Sequence, residues 1–139
     1  MVMKIDGRCH CGLITYEAGI DPKKVTICHC TDCQTLSGTA FRTVAPSIAG
    51  SFKLLSGDPK IYLKTAQSGV KRALAFCPEC GTQLWGAGTG DGPQSYSLRI
   101  GTILQRNELT PKAQIWCRSE QPWVDSLGAI PRTEAGPNR

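Results

Sequence analysis

No stretch of this sequence approaches the roughly 18 consecutive apolar residues that a membrane span requires. Its opening, "MVMKIDGRCHCG", lacks the apolar core of a secretion signal. A soluble, cytoplasmic protein with no membrane partner is therefore expected. Aromatic side chains are few, at 6%, and histidine occurs only twice. The formal charge of +5 comes with no basic block, because Lys23/Lys24, Lys71/Arg72 and Arg99 are dispersed along the chain. A nucleic-acid surface would need clustered cations with interleaved aromatics, so that class of partner is not expected.

What the sequence does hold is a folded but turn-rich composition, with 15 Gly, 9 Pro and a 40% hydrophobic fraction in 139 residues. That length suits one domain with a real core and is short for two. Segments with strand character recur between turns: 13–17, 25–27, 40–45, 51–55, 60–65, 70–76, 95–102 and 112–117. No segment sustains a helical period, although "TDCQTLSG" (31–38) suits one short helical turn, capped by Thr31 or Asp32 and stopped by Gly38. Ile61, Leu63, Leu98 and Ile100 read as core or half-buried sheet positions. The expected fold is mainly β, with short antiparallel sheets and cysteine-stapled turns. It forms a single domain over 1–130, followed by a flexible tail at 131–139.

Eight cysteines are the informative excess. Cys9-His10-Cys11 is too tight for an ordinary disulfide, and paired close cysteines suit a tetrahedral metal. They sort into Cys9/Cys11, Cys28/Cys30/Cys33 and Cys77/Cys80, with Cys117 alone. Two pairs make one closed four-thiolate site, and the triplet makes a three-thiolate site with a position left for water or substrate. The spacings also allow Cys28 or Cys30 to join Cys77 and Cys80 in the four-ligand set. In "CPECG", Gly81 permits the tight reversal that brings two thiolates to one metal.

The motifs "GRCHCG", "CHCTDCQTLSGTAF" and "FCPECGTQLW", with the later "SLRIGT" and "QPW", resemble the glutathione-dependent formaldehyde-activating (GFA) family, the CENP-V/GFA domain. The resemblance covers about Gly7 to Trp123. It implies an all-β, Mss4-like fold with zinc-ribbon-like cysteine turns, and two Zn²⁺ per chain. A structural zinc would fall on Cys9, Cys11, Cys77 and Cys80, and a catalytic zinc on Cys28, Cys30 and Cys33. It further implies carbon-sulfur lyase chemistry that joins formaldehyde to glutathione as S-hydroxymethylglutathione. The alternative class is a non-catalytic, zinc-stabilised module with a macromolecular partner.

An open zinc held by three cysteines suits the binding of an external thiol beside a small aldehyde. His29 alternates with Cys28 and Cys30 in an extended stretch, so it is expected to point away from their shared metal, as an outer support or surface group. Asp32 is read as a turn cap or an orienting group, and Cys117 as a buried strand cysteine. Arg42 and Arg72 are read as solvated residues or as partners for a substrate carboxylate. A zinc deaminase is excluded, because neither histidine begins the His-x-Glu that such a site needs.

Overall fold

The computed structural model describes residues 1–66 and 68–137. Ten strands dominate it. In chain order they are β1 (Met3–Arg8), β2 (Thr15–Ile20), β3 (Thr26–Cys28), β4 (Arg42–Pro46), β5 (Lys53–Ser56), β6 (Lys60–Thr65), β7 (Lys71–Phe76), β8 (Gln83–Gly88), β9 (Ser97–Arg99) and β10 (Ala113–Ile115). One short helix, α1 (Thr31–Ser37), and several 3-10 turns complete the described elements. Among the described residues no helix is long and apolar enough to cross a membrane.

The strands form two sheets. The smaller has the order β1-β2-β5, and the larger has the order β10-β3-β4-β9-β8-β7-β6. Pairing is antiparallel except at β10, which runs parallel to β3 with Ile115 opposite Cys28. That one parallel pair is the exception in otherwise antiparallel sheets. It is possible because 84 residues lie between Cys28 and Ala113, ample chain for a crossover.

Alternation in β2 sends Tyr16, Ala18 and Ile20 to the core, while Thr15, Glu17 and Gly19 stay partly exposed. Ile5 and Ile14 join them, and the larger sheet contributes Ala45, Ala75, Leu84, Trp85 and Leu98. The few aromatics are concentrated at one place. Phe52 lies 4.7 Å from Trp85 and 4.2 Å from Tyr96 between ring centroids, and Tyr16 meets Trp85 edge-on at 5.6 Å. Such contacts add about 0.5–1.5 kcal/mol each beyond simple burial. Gly7 faces Tyr16 across the β1–β2 ladder, and a Cβ there would overlap the phenol ring.

Leu98 is fully buried and Ile100 partly so, as expected, but Ile61 and Leu63 are 47% and 58% exposed. β6 is the edge strand and pairs only with β7, so its alternating apolar residues have no facing layer. Strand β1 has no counterpart among the sequence expectations, because "MKIDGR" holds a single β-branched residue, Ile5, and a glycine at the next inward position. The segment 131–137 is exposed and carries no strand or helix, and residues 138–139 of the expected tail lie outside the described residues.

Candidate metal centre

Two of the cysteine groups come together in space as the spacings suggest. The Sγ atoms of Cys9, Cys11, Cys77 and Cys80 all lie within 4.8 Å of one another, and so do those of Cys28, Cys30 and Cys33. The sequence left open a set in which Cys28 or Cys30 joined Cys77 and Cys80; the geometry separates them.

The four-cysteine group is made by two turns of similar construction. After β1, Cys9 N–H donates to Ile14 O at 3.0 Å, Gly12 N–H donates to Cys9 O, and Gly12 takes a φ of +82°. Between β7 and β8, Cys77 N–H donates to Thr82 O at 3.0 Å, Gly81 N–H donates to Cys77 O, and Gly81 takes a φ of +78°. That left-handed geometry is strained for a residue with a Cβ, so glycine closes each loop beside its paired thiols. A register shift at Ala75/Phe76 immediately before the second turn re-aims the chain toward the first. The turns are joined directly, because His10 N–H donates to Thr82 Oγ1 at 3.0 Å. The group thus ties the end of the smaller sheet to a hairpin of the larger one.

The thiol spacing suits a tetrahedral ion. Sulfurs about 2.3 Å from a zinc centre sit roughly 3.8 Å apart, and Cys9 to Cys11 and Cys11 to Cys77 measure 3.6 and 3.8 Å. Cys9 Sγ also accepts the Ile14 amide at 3.3 Å, the backbone support that a thiolate ligand uses. Thr82's hydroxyl is the first cause that holds Cys80 low, at about 5. Cys11 is pulled down by the Leu13 amide, yet burial and the neighbouring thiols raise it to about 12. Four contacting thiols without a cation cannot all ionise; a divalent ion removes that conflict.

The triplet sits where β3 runs into α1. Cys28 ends β3, and Cys30 is the N-cap of α1, its Sγ accepting from Cys33 N–H at 3.2 Å. Neither Thr31 nor Asp32 caps the helix, because the thiol at the preceding position already holds the first free amide. Asp32 instead pairs with Lys64 Nζ at 2.9 Å, bridging α1 to β6. Gly38 ends the helix in the left-handed conformation, as expected. Burial pushes the Cys28 and Cys33 thiols up, Cys33 to about 12. At Cys30 burial also pushes upward, but hydrogen bonds with Cys33 and Cys28 and the Lys64 charge outweigh it and lower the value.

All three cysteines open onto a cavity of about 810 Å³. Five cationic side chains line it, Arg42, Arg72, Arg99, Arg118 and Lys64, against the single carboxylate of Asp32. Arg42 and Arg99 are each only 8% exposed, and neither forms an ion pair among the described residues. Arg42 Nη2 and Arg99 Nε are buried without a hydrogen-bond partner. Burial, and then the neighbouring Arg42 charge, pull the Arg99 guanidinium down to about 9. A pair of dry cations with free donors is the signature of a site that receives negative charge.

Three readings made from sequence change here. Arg42 is a buried wall of the cavity rather than a solvated residue, because β4 directs it inward beside β3. Cys117 is exposed rather than buried, since the strand ends at Ile115 and Trp116 turns the chain with a φ of +57°. His29 does point away from the triplet, but it is completely buried, so it is no surface group. Sequence reasoning missed Gln34, whose Nε2 donates to His29 O at 2.8 Å and to Ser119 O at 2.9 Å, stitching α1 to the C-terminal segment. It also treated Arg99 only as dispersed charge; its position in "SLRIGT" offers no local signal of burial.

Comparisons with known proteins bear on the family and the fold. None of the curated proteins matches the chain. A crystal structure of a Rhodobacter sphaeroides protein aligns with a TM-score of 0.60 at 17% identity, covering 78% of this chain and 98% of the other, a likeness of fold. A family profile described as glutathione-dependent formaldehyde-activating enzyme matches residues 4–119, limits that enclose both thiol groups and the cationic cavity. The chain belongs to that family of enzymes.

Proposed function

We propose that Cys28, Cys30 and Cys33 hold a catalytic Zn²⁺ with one position open, and that the cavity above them joins an anionic thiol to a small aldehyde. The reaction is of the carbon-sulfur lyase type, with glutathione and formaldehyde as the pair the family description names. Cys9, Cys11, Cys77 and Cys80 hold a second, structural Zn²⁺ in this reading. The triplet's metal, when bound, supplies a Lewis acid and a soft position for a thiolate.

The chain's own part is recognition and charge. Arg42 and Arg99 offer free donors to the carboxylates of a peptide-like thiol, and Arg72, Arg118 and Lys64 extend the positive wall. A cavity of about 810 Å³ lies within the roughly 300–1,000 Å³ range of small-molecule sites. The same cations favour the ionised form of the substrate sulfur. That sulfur attacks the carbonyl carbon, the C–S bond forms as the C=O π bond becomes an oxygen lone pair, and the oxygen takes the proton the thiol gave to water. Net, a thiol and an aldehyde become a hydroxymethyl thioether, with no oxidation. His29 is given no part in these proton transfers, since it is not among the residues that line the cavity.

The single observation that carries the reading is the opening of a three-thiol group onto buried arginines without counter-charges. The test is the rate of adduct formation from glutathione and formaldehyde with zinc-loaded protein, beside a neutral thiol of similar reactivity. Acceleration of the anionic thiol, lost in Cys30→Ser, is expected. Rates equal to buffer for glutathione and for a panel of other anionic thiols would overturn it.

A further inference from the structure

A third group of potential ligands lies behind the triplet. A ring nitrogen of His29, Cys117 Sγ and a Glu120 carboxylate oxygen all lie within 4.8 Å of one another. His29 is completely buried, and its two nitrogens are treated differently. Nε2 lies 2.8 Å from Gln114 Oε1, a contact that is a hydrogen bond in the tautomer with the proton on Nε2. Nδ1 then keeps a lone pair, and it is buried with no hydrogen-bond partner. An imidazole oriented by an outer amide or carboxylate, with its other nitrogen bare, is the form in which histidine ligates metals.

The backbone explains how the other two donors arrive. β10 runs parallel to β3, and His29 N–H donates to Ile115 O at 3.0 Å. Trp116 then takes a left-handed turn into a 3-10 segment, Cys117–Ser119. Trp116, Arg118 and Ser119 line the cavity, whereas Cys117 and Glu120 come to His29 on the other side. One short segment thus serves two sites.

We propose that His29, Cys117 and Glu120 form a third metal site, selective for a borderline-soft divalent ion such as Zn²⁺. One imidazole, one thiolate and one carboxylate suit zinc and disfavour Mg²⁺ and Ca²⁺, which want oxygen alone. The charges cancel, because a thiolate and a carboxylate balance the ion; Cys117 gives its thiol proton to solvent on binding. Three protein ligands leave a fourth position for water. Occupancy pins the segment that forms one cavity wall onto the strand that carries the triplet. The site is independent of the reaction assigned to the cavity.

The test uses the full chain and Zn²⁺ alone. Native mass spectrometry counts ions per chain at saturating zinc in the wild type, Cys117→Ser and Glu120→Gln. In parallel, long-range ¹H–¹⁵N spectra follow the two histidines, with His10→Gln identifying His29. One fewer ion in Cys117→Ser, weaker retention in Glu120→Gln, and a shift of His29 Nδ1 to a metal-bound value are expected. Equal counts and equal retention in all three proteins, or an Nδ1 signal unmoved at saturation, would overturn the site. Cys117 is exposed, so its substitution leaves the fold intact for the comparison.

Discussion

At the scale of single residues, Arg42 and Arg99 have opposite effects on folding and on binding. Each is a buried cation without an ionic partner, which costs stability in the free protein. Arg99→Met should therefore leave unfolding free energy unchanged or raised, while KM for an anionic thiol rises about tenfold or more, the equivalent of roughly 1.4 kcal/mol or more of lost contact. Chemical denaturation and steady-state kinetics on one variant read both effects. A fall in stability with KM unchanged would place Arg99 in the core rather than in the site.

Tyr16 offers a second test at this scale. Burial raises its phenol to about 12 against an ordinary 10, and its hydroxyl pairs with Thr102 Oγ1 at 2.6 Å. The unfolded chain releases this proton first, so the contribution is full below pH 10 and is lost as pH rises from 10 to 12. Two pH units correspond to about 3 kcal/mol. Tyr16→Phe should flatten that part of the stability–pH curve relative to wild type, a difference readable in denaturation midpoints across the window.

At the scale of elements, the close approach of β1 to β2 is the most exposed to a small change. Gly7→Ala drives a methyl into the Tyr16 ring, and the ring is held by Phe52 and Trp85. The expected cost is about 1–3 kcal/mol, the usual range for overpacking, and thermal unfolding measures it. A Tm equal to wild type would mean that β1 pairs more loosely than this register requires.

Elements also show what the sequence could convey. The positions of β6 and β7 followed from strand-like runs between turn residues, and α1 from "TDCQTLSG". Cysteine spacing marked the close pairs and the triplet, because a cysteine turn is a local feature written in adjacent residues, but only the structure shows which pairs meet. Long-range placement was not legible in the same way. The burial of Arg99 and the return of Cys117 to His29 depend on pairings between distant segments, Val44 with Arg99 and Cys28 with Ile115. Hydrophobic alternation in Ile61 and Leu63 indicated a strand correctly but could not say that no layer would cover it. The N-cap of α1 was misread for a different reason: cysteine is not a usual capping residue, yet Cys30 fills that role because its thiol is already held at the turn.

At the scale of the whole molecule, the proposed function assigns the two thiol groups different work, and they differ in place. One lies where the two sheets meet, with Cys9 and Cys77 almost fully buried, and it closes the contact between β1 and the β7–β8 turn. The other ends β3 under the cationic cavity. Cys77→Ala should therefore lower stability by several kcal/mol and reduce the yield of folded protein, since metal binding at such a site is folding energy. Cys30→Ser should leave the fold and the Tm nearly unchanged. Circular dichroism melts of the two variants separate these outcomes, and equal losses would argue that the groups share one role.

The division of labour is tested most directly by stepwise chelation of the zinc-loaded protein, with metal content, thiol–aldehyde activity and near-UV circular dichroism followed together. The ion absent from Cys30→Ser should leave under mild chelation, and activity should vanish with it while tertiary structure persists. The ion of the four-cysteine group should leave only under strong chelation, together with unfolding. Activity that survives loss of the triplet's ion, or unfolding that accompanies it, would contradict the account.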